Sequence, residues 1–307
     1  MTDSVHIQTT CFTGASAGPH LVIFGGVHGD EYEPMAAVRR LAKAVTPSSL
    51  RGRLTLAPVV NEAAFRRGQR VAEDGLDLAR TFPGHAEGSI TQRVAHAAGR
   101  LIREANYFID LHTGGTAYTL LPMVGYMLHS NSDVLAQQRS MARAFNLPVV
   151  WGTSAELDGR STSFARDANI PAIYAEYFGG GSCRPDGVSA YVEGCLNVMA
   201  CLGMIERERP ADAVRIVAED RRPESGHLQR GHPSPSEGYF EPAVQLGQRL
   251  HRGDLLGTVC DSLGKCVEPI RSNESGVVLM LRALPSVQAG DALAVVIETE
   301  ANEASLS

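Results

Sequence analysis

Lysine is nearly missing from this chain: of 28 basic residues only Lys43 and Lys265 are lysines, and the rest are arginines. Such a bias commonly follows genome composition, so a single arginine carries little weight. Acids outnumber the basic groups, 34 to 28, for a formal net charge of −6. A general nucleic-acid binder shows a basic excess, so no nucleic-acid partner is expected. No apolar run approaches the ~20 residues of a membrane-spanning helix, so no membrane partner is expected either. Met1 to Gly14 shows no basic stretch followed by an apolar core, and no secretory signal is read there. The six cysteines (Cys11, Cys183, Cys195, Cys201, Cys260 and Cys266) form no C-x-x-C pair. A chain of 307 residues needs no disulfide staples, so they read as reduced thiols of a cytoplasmic protein. There is no solenoid-scale repeat. No glycine run is followed by Gly-Lys-Ser/Thr, which argues against a phosphate-binding loop.

What is present is 44% hydrophobic and 20% charged, enough for the packed core of one large domain or two smaller ones. Short apolar runs alternate with helical patterns over the first two thirds. Strands are expected at 21–24, 54–60, 107–111, 149–151 and 172–175. Helices are expected at 34–45, 89–104, 134–145 and 188–205, with Ser89 as a cap. That alternation predicts a mostly parallel α/β sheet. Residues 206–237, rich in Arg, Glu, Pro and His, read as a linker or the start of a second unit, with a strand at 214–217. From Gly238 the pattern becomes β. Gly253-Asp254 and Gly290-Asp291 each precede an apolar run, which predicts two related turn–strand halves. The expected division is 1–205, 206–237 and 238–307.

The strongest local signal is Gly25-Gly26-Val27-His28-Gly29-Asp30-Glu31, between a predicted strand and a helix. Imidazole and carboxylate are both good zinc ligands. Glycines let the loop turn sharply enough for both to face one point. A loop histidine beside a helix-start acid is the competing reading, and this segment alone leaves both open. Asp110-Leu111-His112-Thr113-Gly114 and Ala175-Glu176-Tyr177-Phe178-Gly179 add a strand-end imidazole and a strand-end carboxylate. In open α/β sheets ligands bind beyond the carboxyl ends of the strands. His28, Glu31, His112 and Glu176 all follow predicted strands, as does the 61–84 loop with Arg70 and Arg80.

These motifs, with Arg80-Thr81-Phe82-Pro83-Gly84, resemble the succinylglutamate desuccinylase/aspartoacylase family of the zinc carboxypeptidase superfamily, over most of the chain. The resemblance implies a zinc-carboxypeptidase-like mixed, mostly parallel sheet flanked by helices. It also implies a small C-terminal all-β domain similar to a biotinyl/lipoyl barrel-sandwich. Lys265 is not in a Met-Lys-Met-like setting, so that domain reads as structural. His28, Glu31 and His112 would bind one Zn²⁺ per chain, Glu176 would move the water proton, Arg70 would steady the carbonyl oxygen, and Arg80 would hold the substrate carboxylate. The implied activity is zinc-dependent removal of an acyl group from a small-molecule N-acyl amino acid, nearest to N-acetyl-diaminobutyrate deacetylases.

One departure stands out. The family pattern Asn-Leu-Asn-Arg reads Asp77-Leu78-Ala79-Arg80 here, so an amide that normally helps hold the carboxylate is missing. Asp77 would favour a substrate amino group or orient Arg80. Arg160 and Arg166 precede Glu176 without a position that can be assigned. His85 reads as a loop residue. His20, His96, His129, His227, His232 and His251 read as surface or packing residues, Cys183 as no nucleophile, and Trp151 as core. The competing functions are a carboxypeptidase-like peptidase or esterase, and a non-catalytic small-molecule binder on the same fold. A homo-oligomer is expected only on the general frequency of such assemblies.

Overall fold

The structure, a computed structural model, describes residues 5–223 and 225–299. The start of the leader reading (residues 1–4), the end of the predicted β-domain (300–307) and the side chain of Cys266 lie outside the described residues.

In chain order the first strands are β1 (Thr10–Thr13), β2 (Ser16–Phe24), β3 (Arg51–Ala57), β4 (Tyr107–His112), β5 (Tyr118–Leu120), β6 (Met123–Met127), β7 (Val149–Thr153), β8 (Ala172–Glu176) and β9 (Ile216–Glu219). The helices are α1 (Tyr32–Ala44), α2 (Glu62–Arg67), α3 (Ile90–Arg103), α4 (Ser132–Phe145), α5 (Ser161–Asp167) and α6 (Pro185–Cys201). Eight strands form one sheet in the order β1-β3-β2-β4-β8-β6-β7-β9. Strands β3, β2, β4 and β8 are parallel neighbours. β6 then lies antiparallel to β8, and β7 and β9 follow the direction of β6. The sheet is therefore mixed about a parallel centre.

Side chains alternate across each strand, so each strand feeds two layers. Leu21 and Ile23 of β2 join α1, α4 and α6 on one face, with Leu41, Phe145 and Tyr191. Val22 and Phe24 join α3 on the other face, with Val94, Ala98 and Ile102. Local chemistry sets the helix ends. The Asn131 side chain accepts from the Asp133 and Val134 N–H groups, and α4 stops at Asn146 in the left-handed region, φ 69°. Ser89 precedes α3 as expected, and its N–H donates to Gln92 Oε1 at 2.9 Å. The Thr91 N–H, however, is taken at 2.9 Å by Asp74 from the preceding loop.

The C-terminal strands are β10 (Gly238–Pro242), β11 (Arg249–Leu250), β12 (Leu255–Cys260), β13 (Cys266–Arg271), β14 (Gly276–Arg282), β15 (Ser286–Val287) and β16 (Ala294–Glu298). They form two antiparallel layers, β13-β12-β10-β15 and β11-β14-β16. The two Gly-Asp turns lead into β12 and β16, with Gly253 and Gly290 at φ 92° and 89°. This unit is tied to the rest. β5 pairs with β14, Leu120 opposite Met280. Val277, Leu279 and Ile297 pack on Met123, Val149 and Trp151 of the large sheet. The stretch read as a linker contributes β9 to that sheet's edge, Ile216 opposite Val149.

Among the described residues no helix is long and apolar enough to cross a membrane. Cys11, Cys183, Cys195, Cys201 and Cys260 are free thiols. Leu279 is fully buried where the two units meet. Leu279→Ala is expected to cost about 2–5 kcal/mol by urea denaturation. A loss under about 1 kcal/mol would show that this contact is not tightly packed.

Candidate active site

His28 lies in the loop after β2, Glu31 is the N-cap residue of α1, and His112 ends β4. The loop folds tightly: Gly26 takes φ 62°, and a Cβ on Gly29 would lie 2.1 Å from the Ala64 carbonyl carbon. The result is one buried cluster in which a ring nitrogen of each histidine and a Glu31 oxygen lie within 4.8 Å of one another. His28 Nδ1 is 2.7 Å from Glu31 Oε1, and His112 Nδ1 is 3.1 Å from Glu31 Oε2. The Thr113 N–H donates to Glu31 Oε2 at 3.1 Å. Burial opposes the Glu31 charge, but the two histidines outweigh it and hold the carboxyl well below the usual range.

The outer nitrogens are also occupied. His28 Nε2 lies 3.0 Å from Asp77 Oδ1, and His112 Nε2 lies 3.1 Å from Asp110 Oδ2. Asp110 reaches its partner because residues two apart on a strand share a face. The Ser161 hydroxyl donates to Asp110, and the Tyr191 hydroxyl to the His112 carbonyl. Asp77 also accepts from the Ala79 N–H at 2.9 Å and from Arg70 Nε and Nη2 at 3.2 and 3.0 Å. The Asp77 carboxylate thus braces His28 and Arg70 directly, whereas its tie to Arg80 is through the backbone, the Arg80 N–H donating to the Asp77 carbonyl at 2.9 Å. Two imidazoles and a carboxylate facing inward, with carboxylates on the outer nitrogens, are a donor set that could hold a divalent metal ion.

Glu176 ends β8, directly across from His112 in the parallel register. Its Oε2 is buried without a hydrogen-bond partner among the described residues. Burial pushes its carboxyl up to about 8, against the pull of His112 and with a further push from Glu31. An open cavity lies in front of these groups, and Arg70, Arg80 and Arg160 all line it.

Arg80 donates to the Ala79 carbonyl at 2.6 Å and to Gln229 Oε1 at 3.3 Å. Burial and then Arg160 push its guanidinium down to about 10. Arg160 Nη2 donates to the Gly226 carbonyl at 3.0 Å, and its Nε is buried without a partner among the described residues. Arg166 points elsewhere, to Asp158 and Asp167 at 2.7 and 2.8 Å.

His85 is exposed and accepts the Glu87 N–H at 3.2 Å. His227, read as a surface or packing residue, is half-buried and stands 3.5 Å from Arg160 Nη2. Partial burial and then Glu33 push the Cys183 thiol up, the wrong direction for a nucleophile. Gly226, Leu228, Gln229 and Met280 line the cavity from the connector and from β14. No local motif marked them. Asp110 lay inside the Asp-x-His motif, and its spacing from His112 was the available signal.

Asp77→Asn keeps the shape but removes the charge that braces His28 and Arg70. It is expected to weaken metal binding by about 10–100-fold in a chelator competition. Unchanged affinity would mean that Asp77 does not orient a ligand.

A family model for the succinylglutamate desuccinylase/aspartoacylase catalytic domain matches residues 17–202. N-alpha-acetyl-L-2,4-diaminobutyric acid deacetylase of Halomonas elongata is 30% identical over 290 residues, 92% of this chain and 82% of that one. The product-bound ectoine utilization protein EutE from Ruegeria pomeroyi superposes with a TM-score of 0.87 at 27% identity, covering 95% of this chain and 89% of that one. A succinylglutamate desuccinylase/aspartoacylase from Rhodobacter sphaeroides superposes at 0.85 with 27% identity, covering 96% and 90%. With more than half of its length matched by the family model and its whole architecture shared with these structures, the chain belongs to the succinylglutamate desuccinylase/aspartoacylase family.

Proposed function

We propose that this chain is a zinc-dependent amidohydrolase that removes an acyl group from an N-acylated amino acid. The observation that carries this is the buried, unpartnered Glu176 carboxylate directly across from His112 of the His28–Glu31–His112 cluster. A pure binding protein has no use for a base held there. The name of the Halomonas relative gives an acetyl group on diaminobutyrate, and that pair is the first substrate to test. The free thiols fit a cytoplasmic protein.

His28, Glu31 and His112 would hold one Zn²⁺, which when bound lowers the pKa of a water molecule and polarises the scissile carbonyl. The chain's own side chains do the rest. Glu176 accepts a proton at Oε2 and returns it to the leaving amine. Arg70, fixed by Asp77, faces the charge that develops on the carbonyl oxygen. Arg80 and Arg160, neither paired with a carboxylate among the described residues, hold the substrate carboxylate.

Glu176 works as an acceptor only when deprotonated. kcat/KM is therefore expected to fall as pH drops through its pKa, about 8 in the metal-free chain. A cation at the cluster favours the charged form and moves that limb lower. Glu176→Gln is expected to lower amine release by about a hundredfold or more while zinc content stays unchanged. Undiminished turnover in this variant would remove Glu176 from the mechanism.

A further inference from the structure

The connector between β9 and β10 passes the cavity and places Gly226, Leu228 and Gln229 on its wall, beside Arg80 and Arg160. Both arginines rest on this connector: Arg160 donates to the Gly226 carbonyl at 3.0 Å, and Arg80 to Gln229 Oε1 at 3.3 Å. The Gln229 Nε2 group has no hydrogen-bond partner among the described residues. Ala79, next to Arg80, lines the same wall with a methyl group. It offers no side-chain donor.

A carboxylate has about four acceptor positions, and one guanidinium edge fills two of them. Here a second guanidinium, Arg160, has a buried Nε without a partner. Among the described residues Gln229 is the one side-chain amide on the cavity wall. An amide is planar, so fixing its oxygen on Arg80 also fixes its N–H₂ group beside that guanidinium.

We propose that Gln229 is a specificity-determining residue: through Oε1 it positions Arg80, and through Nε2–H it donates to the carboxylate that Arg80 holds, supplying the donor that Ala79 lacks. This rests on the reading of Arg80 as the carboxylate clamp. The group recognised is a carboxylate on the amino-acid part of an N-acyl amino acid. A neutral carboxamide there replaces an acceptor oxygen with a donor and makes two N–H₂ groups face each other.

The test is calorimetric binding to the zinc-loaded chain carrying Glu176→Gln, so that turnover does not interfere. The probes are N-acetyl-diaminobutyrate, N-acetyl-aspartate and the primary carboxamide of each. Adding Gln229→Ala is expected to raise Kd for the better-bound acid about tenfold. Kd for its carboxamide should move less than about twofold, so that the acid-to-amide preference narrows. Adding Ala79→Asn to Gln229→Ala should restore most of the preference by returning an amide to the other side of Arg80.

An unchanged Kd for the acid, or an equal loss for acid and amide as a purely structural role would give, overturns the proposal. Arg80→Ala separates the two claims. If it collapses the preference while Gln229→Ala does not, only Gln229 loses its role. If it leaves the preference intact, or if the starting chain binds neither acid, the clamp reading itself fails and the proposal falls with it.

Discussion

Glu31 is 1% exposed, and its carboxylate stays charged there because two imidazoles and the Thr113 amide surround it. Removing a charge from water is costly unless every partner is in place. The partners therefore need partners of their own. Asp77 braces His28, Asp110 braces His112, and Arg70 and the Ala79 amide hold Asp77. From the cluster outward the network alternates carboxylates with the nitrogen groups that bond them. Its members come from the loop after β2, the loop after β3 and the end of β4, so it closes only if those strands lie side by side and parallel. The central quartet β3-β2-β4-β8 meets that condition.

Two groups of side chains stand apart from this balance. Glu176 shares no hydrogen bond with the network through Oε2, and burial leaves it poised to take up a proton. Arg80 and Arg160 keep their charges close together with carbonyls and an amide as acceptors, so an anion entering the cavity meets donors that, among the described residues, no carboxylate has already neutralised. On the proposed function, these groups give the cavity a metal-ligand end, a base and an anion-binding end. The C-terminal strands contribute to its wall through Met280 and through the pairing of β14 with β5, which carries Tyr118 and Leu120.

The parts of this arrangement that the sequence reveals are those encoded locally. His28, Glu31, His112 and Glu176 each follow a predicted strand, so the strand-end rule brings them together from the sequence alone. β6 (Met123–Met127) was not among the expected strands, and hydrophobic periodicity would not in any case give its antiparallel direction. β1 and β5, four and three residues long, are too short and polar to stand out. Arg160 and Arg166 looked equivalent in sequence; only the path of α5 turns one into the cavity and the other onto Asp158 and Asp167. Gln229 reaches Arg80 across 149 positions of chain, a contact that tertiary packing makes and no local pattern marks. Asp77 read as a partner for Arg80 or a substrate amine; its carboxylate meets His28 and Arg70, and its carbonyl accepts the Arg80 N–H.

Titrating metal-free protein with Zn²⁺ while following amine release from N-acetyl-diaminobutyrate tests the proposed hydrolysis most directly. Release should rise in proportion to zinc, level off at one ion per chain and be absent from Glu31→Gln. Full release from the metal-free chain, or release by Glu31→Gln at the unmodified rate, would contradict a hydrolytic centre built on His28, Glu31 and His112.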